Sequence, residues 1–345
     1  MNRREVLKLL GLTVVNLSFG GRHAWAALTG SVEGEAEIIR GTRVMMGNVP
    51  VTISAVASDR NQGREAIAAA FGEMHRIENL LSVFLPQSEF SRINAAAGEG
   101  PVRVSSETIE IIRRGKEIAR LTGGAFDMAL GPAISSWDFL GKRHVPTPEE
   151  IAALKPLCRS EEISIDETKQ EVSLQKKGMS LDPGGIGKGY LAERGKQLLL
   201  KNGITSGIIA TAGDLVLFGG RPDGTPWRVA IQHPRHRDDK IASIDLTDCA
   251  VSTSGDYERF FTKDGVTYHH LLDPKTMLPA RECQSVTVIS EEGTAADAVA
   301  TGAFVMGPTR GMALLDGSKN GNGIVIDRNG GVQISDALVE RVKLH

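Results

Sequence analysis

At 345 residues, 41% hydrophobic and 24% charged, the chain can bury a sizeable core in one large domain or two smaller ones, and it is too apolar to be largely disordered. A formal net charge of -2 leaves no basic excess for nucleic acid or an anionic membrane surface. Cys158, Cys249 and Cys283 lie far apart without C-x-x-C spacing, which argues against a disulfide framework or a cysteine zinc site and leaves three small core hydrophobes.

In chain order, Arg3-Arg4, the apolar run from Leu9 to Phe19 and the Ala24-Trp25-Ala26 site read as a secretory signal of the twin-arginine type. The alternative is an N-terminal helix that stays on the protein. Cleavage after residue 26 leaves residues 27–345 as the working domain and predicts a periplasmic location. Residues 31–40 are polar and read as a flexible lead-in. Val49–Ala57 is rich in β-branched residues and reads as a strand. Ile67, Ala70, Phe71, Met74, Ile77 and Leu81 recur at helical spacing, predicting a helix over 64–84. A second helix spans 106–121, capped by Ser105 or Ser106 and stopped by Gly123-Gly124. A short helix follows Pro148, a hairpin covers 163–174, and a helix runs from Ile186 to Lys201 and closes on Asn202-Gly203. From Gly207 to Ile289 the chain is strand-rich, with turn signals at Pro222-Asp223-Gly224, Lys263-Asp264-Gly265 and Asp273-Pro274. A helix over 294–305 and a hairpin turning at Asn329-Gly330 complete the pattern. Helices interleaved with hairpins predict an α+β fold with mixed or antiparallel sheets and flanking helices.

Several segments can carry chemistry. Leu181-Asp182-Pro183-Gly184-Gly185-Ile186-Gly187-Lys188-Gly189-Tyr190 opens a helix with glycines and a lysine, a plausible phosphate cradle or simply a tight strand-to-helix turn. It is not a Walker A loop, which needs glycine in place of Asp182 and Ser or Thr in place of Gly189. Asp297 and Thr301 stand four apart, so a helix puts a carboxylate and a hydroxyl on one face, hard oxygens that suit Mg²⁺; a first-turn helix acid is the plainer reading. His269 and His270 close a strand and point to opposite faces, so one is expected to be ordinary. Ser252 to Arg259 is a polar loop with hydroxyls and acids, and Gly123-Gly124-Ala125-Phe126-Asp127 is a glycine turn bearing a ring and a carboxylate.

In this order the segments resemble the ApbE-type flavin transferases, the FAD:protein FMN transferases. The resemblance runs from about Met45 to Gly307, through Met46-Gly47, Leu81-Ser82-Val83-Phe84-Leu85-Pro86, Ser88 to Asn94, Thr122 to Asp127, Pro226-Trp227, His270 to Pro274 and Ala296 to Thr301, besides the segments above. It implies Mg²⁺ held by Asp297, Thr301 and a backbone carbonyl at Gly185. It implies FAD contacts at Met46, Phe84, Ala125, Phe126, Asp127, Asp182, Lys188 and His270, with both phenylalanine rings lining the flavin. The implied reaction passes FMN from FAD to a Thr or Ser hydroxyl of an acceptor protein and releases AMP. His270 is the first choice of base, with Asp256 or Asp297 as alternatives. The implied partner is an exported or membrane-anchored electron-transfer protein with an FMN-binding domain. FAD hydrolysis to FMN and AMP, and flavin binding without turnover, stay open as other readings.

Three departures stand out. Phe84 occupies a position where many members have Tyr. Ala210-Thr211-Ala212-Gly213-Asp214 replaces the common Asn-x-Gly-Gly-Asp, and Asp273-Pro274-Lys275-Thr276-Met277 replaces Asp-Pro-Arg-Thr-Gly, which puts the shape of that turn in question. None removes an implied metal ligand.

Overall fold

The computed structural model describes residues 36–139, 141–316 and 321–345, so the expected export signal lies outside the described residues. Its centre is an eight-stranded sheet in the order β1-β2-β6-β7-β10-β15-β16-β17. The strands are β1 (Glu37–Met45), β2 (Val49–Ala57), β6 (Gly207–Thr211), β7 (Asp214–Phe218), β10 (Cys249–Gly255), β15 (Cys283–Ser290), β16 (Asn322–Asp327) and β17 (Val332–Ile334). Every pairing in it is antiparallel. Three smaller pieces precede or interrupt it: β3 (Val102–Arg103) with the hairpin β4 (Ile163–Asp166) and β5 (Glu171–Leu174), the hairpin β11 (Phe260–Lys263) and β12 (Val266–His269), and the pair β13 (Leu272–Asp273) and β14 (Leu278–Pro279). A second sheet joins β8 (Trp227–Gln232), β9 (Lys240–Leu246) and β18 (Lys343–Leu344).

Alternation along the strands sends side chains into two cores. Ile53, Val216, Ala250, Val286 and Val288 pack with helical residues such as Phe71, Met74, Leu191 and Phe304. Ile208, Leu215, Leu217 and Val251 face the other way and pack on Trp227, Val229, Ile244 and Leu246 of the second sheet. The large sheet is therefore covered on both faces, which is why its central strand β15 is buried throughout. A third cluster joins Trp137, Phe139, Phe261, Leu272 and Met277 around the β11–β14 hairpins.

The helices are α1 (Arg60–Leu81), α2 (Glu89–Ala95), α3 (Ser106–Leu121), α4 (Gly131–Trp137), α5 (Pro148–Leu154), α6 (Gly187–Lys201), α7 (Gly293–Met306) and α8 (Pro308–Asp316). Their ends follow local chemistry. Asp59 caps α1 by accepting from Asn61 and Gln62 N–H, so the helix starts at Arg60, four residues before the start that periodicity suggested, and the extended Ser82 ends it before Phe84. Ser105 caps α3, and Thr147 with Glu150 makes a capping box on α5. The segment 37–40 is not a flexible lead-in: it begins β1, which pairs with β2 from Glu37↔Ala57 to Met45↔Val49.

Candidate active site

Two helix starts meet at glycines. A Cβ on Gly189, in the first turn of α6, would lie 2.0 Å from the carbonyl oxygen of Gly293, which opens α7. Only glycine permits that approach. Glu193, one turn further along α6, accepts from Gly293 N–H at 2.7 Å and from the Thr294 hydroxyl, so it caps α7 from outside. Burial pushes the Glu193 carboxyl up, opposed by the Thr294 and Gly293 hydrogen bonds.

The crossing brings Lys188 to Asp297. Lys188 Nζ donates to Asp297 Oδ1 at 2.8 Å, and Gly189 N–H donates to Asp297 Oδ2 at 3.2 Å. The same ammonium pairs with Asp214 Oδ2, and Ser252 Oγ donates to Asp214 Oδ1 at 2.5 Å. Both carboxylates are buried. Burial alone would lower the Lys188 pKa, but the two carboxylates outweigh it and hold the ammonium well above the lysine range. Burial pushes Asp214 up, with Lys188 opposing and the charge of Asp297 adding to the rise.

Thr301, one turn beyond Asp297, shares a hydrogen bond with Ser254 at 3.2 Å. A Cβ on Gly185 would lie 3.2 Å from both Thr301 Oγ1 and Phe126 Cε2, so the glycine turn lies directly against Thr301. The implied Mg²⁺ ligands Asp297, Thr301 and Gly185 are thus neighbours. The donors are carboxylate and hydroxyl oxygens without nitrogen or sulfur, and a cation already bridges Asp214 and Asp297. Among the described residues no group of three or more His, Cys, Asp or Glu could hold a metal ion. A hard cation that completes its shell with hydroxyl, carbonyl and phosphate oxygens fits this donor set.

The two histidines separate as their alternation predicts. His269 is buried, accepts Leu271 N–H on Nδ1 at 3.3 Å, donates from Nε2 to Ala280 O at 2.6 Å, and meets Phe304 edge-on. It is the ordinary one. His270 Nδ1 lies 3.3 Å from Arg259 O, which assigns the proton to Nδ1 and leaves Nε2 as an acceptor. Burial, then the charges of Arg259 and His269, bring the His270 pKa down to about 3. Asp256 is clamped by Arg235 through two hydrogen bonds of 2.7 and 2.8 Å. Of the three base candidates, His270 alone presents an uncommitted acceptor.

The remaining residues divide. Asp127 spends Oδ1 on Ala129 N–H and Oδ2 on Ser160 N–H, bracing its turn, and burial pushes its carboxyl up. Asp182 accepts from Gly184 N–H at 2.6 Å, and burial raises it too, with Gly184 and Arg259 opposing. Met46 heads the β1–β2 turn with a left-handed φ of 48° and donates its N–H to Glu78. Ala125 and Phe126 are buried, whereas Phe84 is 82% exposed. The two phenylalanines are therefore not equivalent: one is a core ring against Gly185, the other a free face. Val305, a further turn along the Asp297–Thr301 face, lines a cleft of about 360 Å³ with Thr122, Gly123, Ala125, Asp273 and Lys275. A larger cavity of about 620 Å³ is lined by Leu215, Val251 and Thr253 on the opposite side of the sheet from Ser252 and Ser254.

Sequence reasoning did not single out Asp214 as a site residue. The signal available was its place just after the Ala212-Gly213 turn, with Ser252 and Ser254 alternating on the strand paired to β7. That turn and the one before Leu278 both keep a left-handed residue: Ala212 has φ 46° and Met277 φ 61°. The conformation survives without glycine, and the buried Met277 is held by Trp137, whose Nε1 donates to its carbonyl at 2.9 Å.

The ApbE family model matches residues 46–326. The FAD:protein FMN transferase of Klebsiella pneumoniae (strain 342) is 33% identical over 296 residues, covering 85% of this chain and 90% of that protein. The one from Treponema pallidum (strain Nichols) is 32% identical over 295 residues, with 81% and 82% covered. The crystal structure of the ApbE protein of Thermotoga maritima superposes with a TM-score of 0.82 at 32% identity, covering 88% of this chain and 98% of that one. The apo flavinyl transferase ApbE of Pseudomonas stutzeri gives 0.78 at 28% identity, with 89% and 97% covered.

Proposed function

The chain belongs to the ApbE family and is a FAD:protein FMN transferase; we propose that it moves FMN onto a Thr or Ser hydroxyl, with Mg²⁺ and with AMP as the leaving group. The observation that carries the reading is the convergence of Asp297, Thr301, Gly185 and Lys188 where two helix starts cross. Asp297, Thr301 and the Gly185 carbonyl would hold the metal. When bound, Mg²⁺ supplies positive charge against the pyrophosphate oxygens.

The chain's own groups then bind, orient and move a proton. Lys188 and the start of α6 present positive charge to the diphosphate. The exposed Phe84 ring offers a face to the isoalloxazine. The acceptor hydroxyl oxygen forms the new bond to the FMN phosphorus, and the bridging bond breaks with its oxygen leaving on AMP. The hydroxyl proton passes to His270 Nε2. Neutral His270 is the accepting form at pH 7, and a diphosphate beside it raises its proton affinity. Most of the rate enhancement comes from positioning and electrostatics.

The proposal extends to place and partner. The segment 1–26 directs export to the periplasm, where an electron-transfer protein with an FMN-binding domain receives the flavin. Among the described residues no helix is long and apolar enough to cross a membrane. The test is FMN transfer to such an acceptor, read by mass spectrometry across a Mg²⁺ titration. Asp297→Ala should lose nearly all transfer and Thr301→Ala less, since water can replace a hydroxyl. Full activity of Asp297→Ala at low Mg²⁺ would return Asp297 to a buried helix acid that only pairs with Lys188.

A further inference from the structure

Asp214 is 3% exposed, and both its oxygens are committed, Oδ1 to Ser252 and Oδ2 to Lys188. Lys188 spans from there to Asp297 Oδ1. One ammonium thus serves two buried carboxylates, and the trio carries a net charge of about -1 when all three are ionised. A divalent cation approaching Asp297 Oδ1 meets the ammonium already bonded to that oxygen. Like charges that close together repel strongly where water is excluded. The ammonium can yield Asp297 without becoming an unpaired buried charge, because Asp214 still holds it.

We propose that Lys188 and Asp214 form an internal counter-ion relay for the metal site: Lys188 neutralises Asp297 until the divalent cation arrives, and Asp214 then retains the ammonium beside the diphosphate. Asp214 is a positioning residue that acts through Lys188. This rests on the reading that Asp297 binds a divalent cation. Without Lys188 the cation should bind more tightly. Without the Asp214 charge, Lys188 has only Asp297 to pair with, and the cation should bind more weakly.

The test is a Mn²⁺ titration of the full chain without FAD, with free Mn²⁺ counted by electron paramagnetic resonance. Near-UV circular dichroism first establishes that each variant is folded; Lys188→Gln replaces Lys188→Met if the latter loses its tertiary signal. Lys188→Met should lower the Mn²⁺ Kd by about tenfold or more, and Lys188→Arg should stay within about threefold of the parent. Asp214→Asn should raise Kd by about tenfold, yet change it by less than about threefold when added to Lys188→Met. The relay is overturned if Lys188→Met binds no tighter than the parent, or if Asp214→Asn weakens binding equally in both backgrounds. If Asp297→Asn leaves Mn²⁺ binding intact, the metal assignment itself falls, and the relay with it.

Discussion

Changing Gly189 to alanine tests whether the helix crossing builds the site. The new Cβ would sit 2.0 Å from Gly293 O, 2.5 Å from Gly293 C and 3.0 Å from Thr294 N. All three are backbone atoms of the first turn of α7, so no rotamer change relieves them. Restoring an ordinary contact of about 3.5 Å requires the helices to part by more than about 1 Å. Alanine gains about 1 kcal/mol of helix propensity over glycine. Overpacking against backbone costs about 1–3 kcal/mol, so the clash wins on balance. A net loss near 1 kcal/mol lowers Tm by about 1–2 °C in a domain of this length. The functional effect is larger. The Gly189 N–H bond to Asp297 is already 3.2 Å, and the Lys188 bond to Asp297 opens with it. Misplacing such groups by about 1 Å costs about 100-fold in rate. Calorimetry and FMN transfer on the same preparation give both quantities. Gly187→Ala is the control, since its Cβ would meet nothing closer than Pro183 Cβ at 3.6 Å. Parental Tm and parental transfer in Gly189→Ala would refute the close-crossing argument.

Other expectations follow from single residues. Phe126→Ala should cost about 3–5 kcal/mol in urea unfolding, because its ring is core, whereas Phe84→Ala should leave stability within about 0.5 kcal/mol and raise the apparent KM for FAD. Equal stability losses in the two variants would contradict their different burial. Ala212→Gly should stabilise the protein by up to about 1 kcal/mol, since φ of 46° is strained for alanine; an unchanged urea midpoint would remove the strain argument. His270 has a folded-state pKa of about 3 against an ordinary 6.5, so the unfolded chain binds more protons between those values. Stability should therefore fall as pH drops from 6.5 toward 3. His270→Gln should flatten that dependence in urea titrations at pH 5 and pH 7.5, and an unaltered slope would exclude His270 as its source.

The long helices and the final hairpin were legible because their signals are local. The apolar spacing from Ile67 to Leu81, the Ser105 cap and the Asn329-Gly330 turn each lie within one element. β1 escaped notice because it is an edge strand: Thr42, Arg43 and Val44 face solvent, and its pattern is blurred by Arg40 and Gly41. α2 and α4, at seven residues each, are too short to display a period.

The site divides along the same line. Asp297 and Thr301 could be paired from the sequence because one helix spaces them, and the Mg²⁺ reading needed only that helix. Asp214, Lys188 and Ser252 come from β7, α6 and β10, and no spacing rule links them. What links them is the sheet register, which pairs Val251 with Leu215 and so brings Ser252 level with Asp214, together with the glycine crossing that drops Lys188 between two carboxylates. The glycine-rich segment therefore serves two ends. Some of its glycines suit a turn that approaches a ligand, but Gly189 is there so that another helix can approach it. The same atoms that settle a packing problem also fix the charge at the proposed metal site. For that reason a substitution between the helices is expected to act on catalysis before it acts on the fold.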